Sequence, residues 1–142
     1  MVRRLAVTAG LVAAFGVGVF VGQGRGVLAQ TKDHVFEVRI YTAGEGKMDA
    51  VVKRFRDPEA KIFEKNGMKA LFYSTIFEPA DRQNQFVYVL QHENREAARK
   101  SWAGFIADPE FRAAAQASDV GGRAVTKVES FFVNPTDFSP MK

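Results

Sequence analysis

Hydrophobic and polar positions alternate strictly from Val35 to Tyr41 (VFEVRIY), with Phe36, Val38 and Ile40 on one side and Glu37, Arg39 and Tyr41 on the other, which predicts a first strand. After the turn TAGEG the period changes. Met48, Val51, Val52, Phe55, Ile62 and Phe63 fall on one helical stripe, and Asn66-Gly67 is a common way to end a helix. Pro58 lies inside that stripe. It either kinks the helix or, with Asp57 as N-cap, starts a second one. Met68 to Phe77 is rich in aromatic and β-branched residues and predicts a second strand, closed by the polar loop EPADRQN. Gln85 to Gln91 predicts a third. A helix then follows with Asn94 as N-cap and Ala97, Ala98, Ser101, Trp102, Phe105 and Ile106 on one stripe, and Glu96 and Lys100 form an outward i,i+4 pair. Asp108-Pro109 restarts a short helix through Ala117, and Val125 to Val133 is the fourth strand.

The order β-α-β-β-α-β predicts an α+β fold of the ferredoxin-like type: an antiparallel sheet with the helices on one face and the fourth strand beside the first. The second and third strands are apolar on both faces, so the uncovered side of the sheet is expected to meet a partner. A second copy of the chain is the simplest one, giving a homodimer with a cavity between sheet and sheet.

Residues 1–29 stand apart. Arg3 and Arg4 precede an apolar run from Leu5 to Val21, and small residues end at Ala29, so this stretch reads as an export signal cleaved after Ala29, with an uncleaved membrane anchor as the alternative. The paired arginines also permit a twin-arginine route. The expected mature domain is 30–142, exported to the periplasm or secreted, with no membrane contact after cleavage. Losing Arg3, Arg4 and Arg25 and no acid lowers the formal charge from +4 to +1, so the basic balance belongs to the leader and argues against nucleic acid as a partner. The chain has no cysteine, which excludes disulfides, thiol catalysis, a lipid anchor on cysteine and thiolate-bound metal. The glycines of GVGVFVGQGRG follow no strand, and GEGK lacks phosphate-loop spacing, so neither is a nucleotide site.

The stretch HVFEVRIYTAGEGKMDAVVKRFRDPEAKIFEKNGM resembles the N-terminal part of the NIPSNAP domain. NREAARKSWAGFIADPEF followed by KVESFFVNPTDFSPMK resembles its second half. The resemblance covers nearly all of the mature chain and rests on the EVR-Y strand, the KSW-F-DP-F helix and the PTDFSP tail in that order. It implies a dimeric α/β-barrel fold. Two features depart from the family: Pro58 interrupts the first helix, and an export leader replaces the mitochondrial address of the animal members, so the roles of those members do not carry over. The resemblance brings no agreed catalytic residues, and the fold hosts cofactor-free monooxygenases, haem-handling enzymes, isomerases and binding proteins alike.

Candidate chemistry therefore rests on individual side chains. If Phe36, Val38 and Ile40 pack under the helices, Glu37, Arg39 and Tyr41 point away from them into the inter-sheet cavity. There Arg39 would pair with Glu129 of the fourth strand, which shares a face with Lys127. One reading is an ion-pair network that fixes dimer register. The other is a ligand pocket of Glu37, Arg39, Tyr41, Tyr73 and Glu129 in which Arg39 grips an acidic or carbonyl-bearing molecule. Tyr88 lies on the third strand, whose phase the sequence does not give. His92 and Tyr41 are the candidate catalytic groups, His92 as a general base or haem ligand. Trp102, the only tryptophan, is expected to fill the core. Asn94, Trp102 and His92 supply the residue types of haem-degrading members of the fold without a matching spacing. Two histidines, His34 and His92, without an acidic cluster make a structural zinc site an unsupported reading, and no metal is assigned. Phe138, the lone aromatic of the tail, is expected to dock on the partner subunit or on the first helix.

The leading expectation is an exported homodimer that binds a small molecule or a protein partner, with no cofactor. The alternative is a cofactor-free monooxygenase or haem-handling enzyme.

Overall fold

The computed structural model describes residues 34–141; the leader, with its expected cleavage after Ala29, lies outside them. Four strands form one antiparallel sheet: β1 (Val35–Ala43), β2 (Lys69–Thr75), β3 (Gln85–His92) and β4 (Val125–Val133), in the order β2-β3-β1-β4. Helices α1 (Met48–Arg54) and α2 (Ala60–Lys65) connect β1 to β2, and α3 (Arg95–Ala107) and α4 (Pro109–Ser118) connect β3 to β4. This is the expected ferredoxin-like arrangement, with β4 beside β1.

Local chemistry explains the boundaries. The Asn94 side chain accepts the Ala97 N–H at 2.8 Å and caps α3. Asp108 does the same for α4, accepting from Glu110 N at 2.8 Å and Phe111 N at 3.3 Å, with Pro109 in the first turn where no N–H is needed. Gly67 takes the left-handed conformation (φ 74) that ends α2. Pro58 both interrupts and restarts the first helix. Asp57 beside it is extended (φ −160, ψ 118), as a residue before proline prefers, and the kinked segment Phe55–Glu59 joins α1 to α2.

One register finding reverses an expectation. The helix-facing side of β1 carries Glu37, Arg39, Tyr41 and Ala43, not Phe36, Val38 and Ile40. Tyr41 and Ala43 belong to the core with Phe55, Phe63, Leu90 and Phe105, and Glu37 meets Trp102 of α3. Alternation alone gives two faces and no sign. The sign is set here by four donors that converge on Glu37 from the helix side, while Val38 and Ile40 line the opposite face, on which Phe36 is itself buried. That face also presents Phe72, 47% exposed, Phe131, 49% exposed, and Val133, with Val87 and Val89 between. Glu129 lies on it as well. In the β1–β4 register Arg39 stands beside Ser130 and Ile40 beside Glu129, so Glu129 is on the opposite side of the sheet from Arg39 and pairs with Lys127 at 3.1 Å. Phe138 is 85% exposed and does not dock on α1 or α2.

Candidate functional site

Glu37 is the hub of the helix-facing side. It is 2% exposed, and both carboxylate oxygens are fully engaged. Oε1 accepts from Arg39 Nη1 at 2.7 Å and from Ser130 Oγ at 2.6 Å; Oε2 accepts from Trp102 Nε1 at 2.7 Å and from His92 Nε2 at 2.9 Å. Burial by itself would raise this carboxyl. The bonds from His92, Ser130, Trp102 and Arg39 outweigh it and hold the pKa at about 2. Because the carboxylate stays ionised, His92 offers it Nε2–H, which leaves Nδ1 buried and without a partner among the described residues.

Arg39 is placed by that bond and by aromatic faces. Its guanidinium lies 4.1 Å from the centre of the Trp102 ring and 5.6 Å from that of Tyr41. Burial opposes its charge, but nearby Tyr88 and Tyr41 and the bond to Glu37 keep it firmly protonated. Among the described residues its Nε–H has no acceptor. Beside it stands the fully buried Tyr88, whose hydroxyl lies near that of Tyr41 with no well-aligned hydrogen bond among the described residues, and whose phenol burial pushes well above its ordinary value. Tyr73, 38% exposed, packs against Phe55 at 5.8 Å and Tyr88 at 6.2 Å where this interior meets solvent. Its phenol is raised to about 12, first by burial and then by the charges of Glu59 and Glu64.

A second buried carboxylate completes the interior. The break at Pro58 turns Glu59 inward, where it is 1% exposed. Arg54 Nε lies 3.2 Å from Glu59 Oε1, an ionic contact without hydrogen-bond alignment, and among the described residues neither Glu59 oxygen has a hydrogen-bond partner. Burial raises this carboxyl to about 7 against the opposing charges of Arg54 and Arg39. It is a proton acceptor near neutral pH.

The expected site residues Glu37, Arg39, Tyr41 and Tyr73 thus share one face, but under the helices and not between two sheets, and Glu129 is not among them. His92 joins through Glu37. Trp102 fills the core against Phe63 and Phe105 and also donates to the hub, so its two readings hold together. Asn94 is spent as the α3 cap and takes no part. The sequence reading missed Ser130, whose signal is its place opposite Arg39, and Glu59, an acid spaced four residues from both Phe55 and Phe63 on an apolar stripe. Among the described residues no cluster of His, Cys, Asp or Glu is arranged to hold a metal ion, and no helix is long and apolar enough to cross a membrane.

The NIPSNAP family model matches residues 36–140. The chain belongs to the NIPSNAP family. A NIPSNAP family protein of unknown function from Agrobacterium tumefaciens is similar in structure (TM-score 0.69, 18% identity, covering 79% of this chain and 96% of that one). Further from it stand a monooxygenase from the gene ActVA-Orf6 of Streptomyces coelicolor, in complex with nanaomycin D (TM-score 0.52, 17% identity, 78% and 95% covered), and SnoaB, a cofactor-independent oxygenase from Streptomyces nogalater (TM-score 0.50, 20% identity, 76% and 98% covered). At these identities the likeness is one of fold. Comparison with curated proteins returns no match.

Proposed function

We propose that this NIPSNAP chain acts as an exported homodimer that takes a small molecule into the interior between sheet and helices, at Arg39. The observation that carries the reading is the state of Arg39: clamped by Glu37 and stacked on Trp102, it keeps an unpartnered Nε–H within a wall of tyrosines. Native interiors leave few polar atoms unmatched, and each that persists calls for an explanation, of which a bound ligand is one. The groups available are a cationic donor, the Tyr88 hydroxyl and aromatic faces, which suit an aromatic compound bearing a carboxylate or carbonyl. Export is supported by the pattern of residues 1–29, and the dimer by the apolar uncovered face of the sheet.

Trp102 is the only tryptophan and touches Arg39, so its fluorescence reports the site directly. Titration with a panel of aromatic carboxylates is expected to change that emission saturably in the wild type and to need about tenfold more ligand in Arg39→Lys, which keeps the charge but not the planar fork. The same saturation curve in wild type and Arg39→Lys would overturn the proposal.

A second reading, an oxygenase that works without a cofactor, is favoured by Glu59. A buried carboxyl at about 7, beside Tyr73 and Tyr88, suits the removal of a proton from a phenolic or enolic substrate. Two proteins of similar fold are described as oxygenases. Oxygen consumption with a dihydroxylated aromatic substrate, lost in Glu59→Gln, tests it.

A further inference from the structure

A second basic recess lies outside that interior. Helices α1 and α4 leave between them a cleft of about 330 Å³, lined by Lys47, Lys53 and Arg54 on one side and by Ala114, Ala117 and Ser118 on the other. Its one lining carboxylate, Asp57, is bonded to Lys61 at 2.8 Å. Lys47 Nζ donates to the Val120 carbonyl at 2.5 Å and is fixed at the rim. Arg54 is only 8% exposed, yet it lines the cleft: Nη1 donates to Ser118 Oγ at 2.9 Å, and Nε stands beside Glu59 without an aligned hydrogen bond. Its guanidinium thus spans the wall between the cleft and the buried carboxylate.

The geometry points to a small-oxyanion site in this cleft, with Arg54 and Lys53 as its cationic walls; the Ser118 hydroxyl is spent on the Ala115 carbonyl and on holding Arg54. We infer that an anion there and the charge on Glu59 compete for the same guanidinium. A carboxylate or phosphate matches the flat fork of arginine, and with Arg54 set against Glu59, Lys47 and Lys53 give the recess positive charge that Asp57, already bonded to Lys61, does not cancel. The small alanines of α4 leave the room.

The coupling has a direction. The groups that face Glu59 are Arg54 from α1, Arg39 from β1, Tyr73 from β2 and Tyr88 from β3, and α4 contributes only the neutral Ser118 to the cleft wall. When Glu59 takes up a proton, Arg54 loses its inner counter-charge and its attraction to an anion in the cleft grows. By linkage, an occupied cleft raises the proton affinity of Glu59.

Sulfate is the suitable probe because its charge does not change near neutral pH. Sulfate titrated at constant ionic strength into ¹⁵N-labelled protein is expected to move the Arg54 Nε–H and Ser118 amide resonances saturably. Lys53→Ala, at an exposed position of α1, should weaken that affinity by about fivefold or more, whereas Lys100→Ala, an equally exposed cation on α3, should leave it unchanged. Affinity should rise as the pH is lowered from about 8 to about 6 in the wild type and stay level in Glu59→Gln. The absence of a saturable shift, or equal losses in Lys53→Ala and Lys100→Ala, would overturn the site. Wild-type affinity that does not change over this pH range would overturn its link to Glu59.

Discussion

Trp102 Nε1 donates to Glu37 Oε2 at 2.7 Å, tying the middle of α3 to β1 across the sheet–helix boundary. The same oxygen takes His92 Nε2, and the other takes Arg39 and Ser130, so one carboxylate organises β1, β3, β4 and α3. Buried charge is costly unless every lone pair is answered, and at Glu37 four donors answer it.

Glu37→Gln removes the charge but keeps the shape. Arg39 then stays half-buried beside a neutral amide, and one amide N–H faces donors. A loss of about 3–5 kcal/mol in unfolding free energy is expected, checked by urea denaturation near neutral pH.

Trp102→Phe keeps a ring against Phe63 and Phe105 and deletes one donor. It is expected to cost about 1–3 kcal/mol and to raise the Glu37 carboxyl, so that acid unfolding begins at higher pH than in the wild type. Thermal unfolding across an acid pH series measures both effects. An unchanged acid limb would show that the indole bond is not part of what holds Glu37 ionised.

Two carboxylates give the pH dependence opposite signs. Glu37 is depressed from 4.5 to about 2, so its stabilisation is present above its ordinary value and lost as the pH falls toward 2. Glu59 is raised from 4.5 to about 7, so the folded state holds its proton longer than the unfolded chain, and stability declines as the pH rises from 4.5 through 7. The wild type should therefore be most stable in mildly acidic solution, and Glu59→Gln should flatten the decline toward neutral pH while leaving the acid limb in place. Chemical denaturation midpoints against pH test this.

The uncovered sheet face carries Val38, Ile40, Phe72, Phe131 and Val133, an apolar stripe too continuous for a surface that meets only water. Phe131→Glu places a charge at its centre. Sedimentation equilibrium is expected to give a dimer for the wild type and a monomer for the variant, with the Trp102 emission of the folded chain retained. A wild-type monomer would contradict the proposed assembly.

Much of this architecture is legible in the chain itself. The caps at Asn94 and Asp108, the stop at Gly67 and the two-residue period of β1 and β4 are local signals, and each element they predict is present. The side of β1 that meets the helices is not local. VFEVRIY offers an apolar face and a polar face, and the usual choice buries the apolar one; here the polar face goes under the helices because Ser130, His92 and Trp102, all distant in sequence, supply its partners. The apolar face reads as core because alternation alone does not say which side of a strand the helices cover. Glu59 is hidden for a related reason: an acid after a proline looks like the solvated start of a helix, and only the turn at Phe55–Glu59 directs it inward. Glu129 illustrates the converse, since the strand neighbour of Arg39 is Ser130 and a shift of one residue moves a side chain to the other face.

Native mass spectrometry of the protein purified from its native host reads assembly and bound ligand in one experiment. If two chains assemble and Arg39 holds a ligand, the wild type shows twice the mass of one chain plus a bound non-protein mass, and Arg39→Lys shows the same dimer with a smaller bound fraction. A single-chain mass, or a wild-type dimer carrying nothing, would contradict that reading.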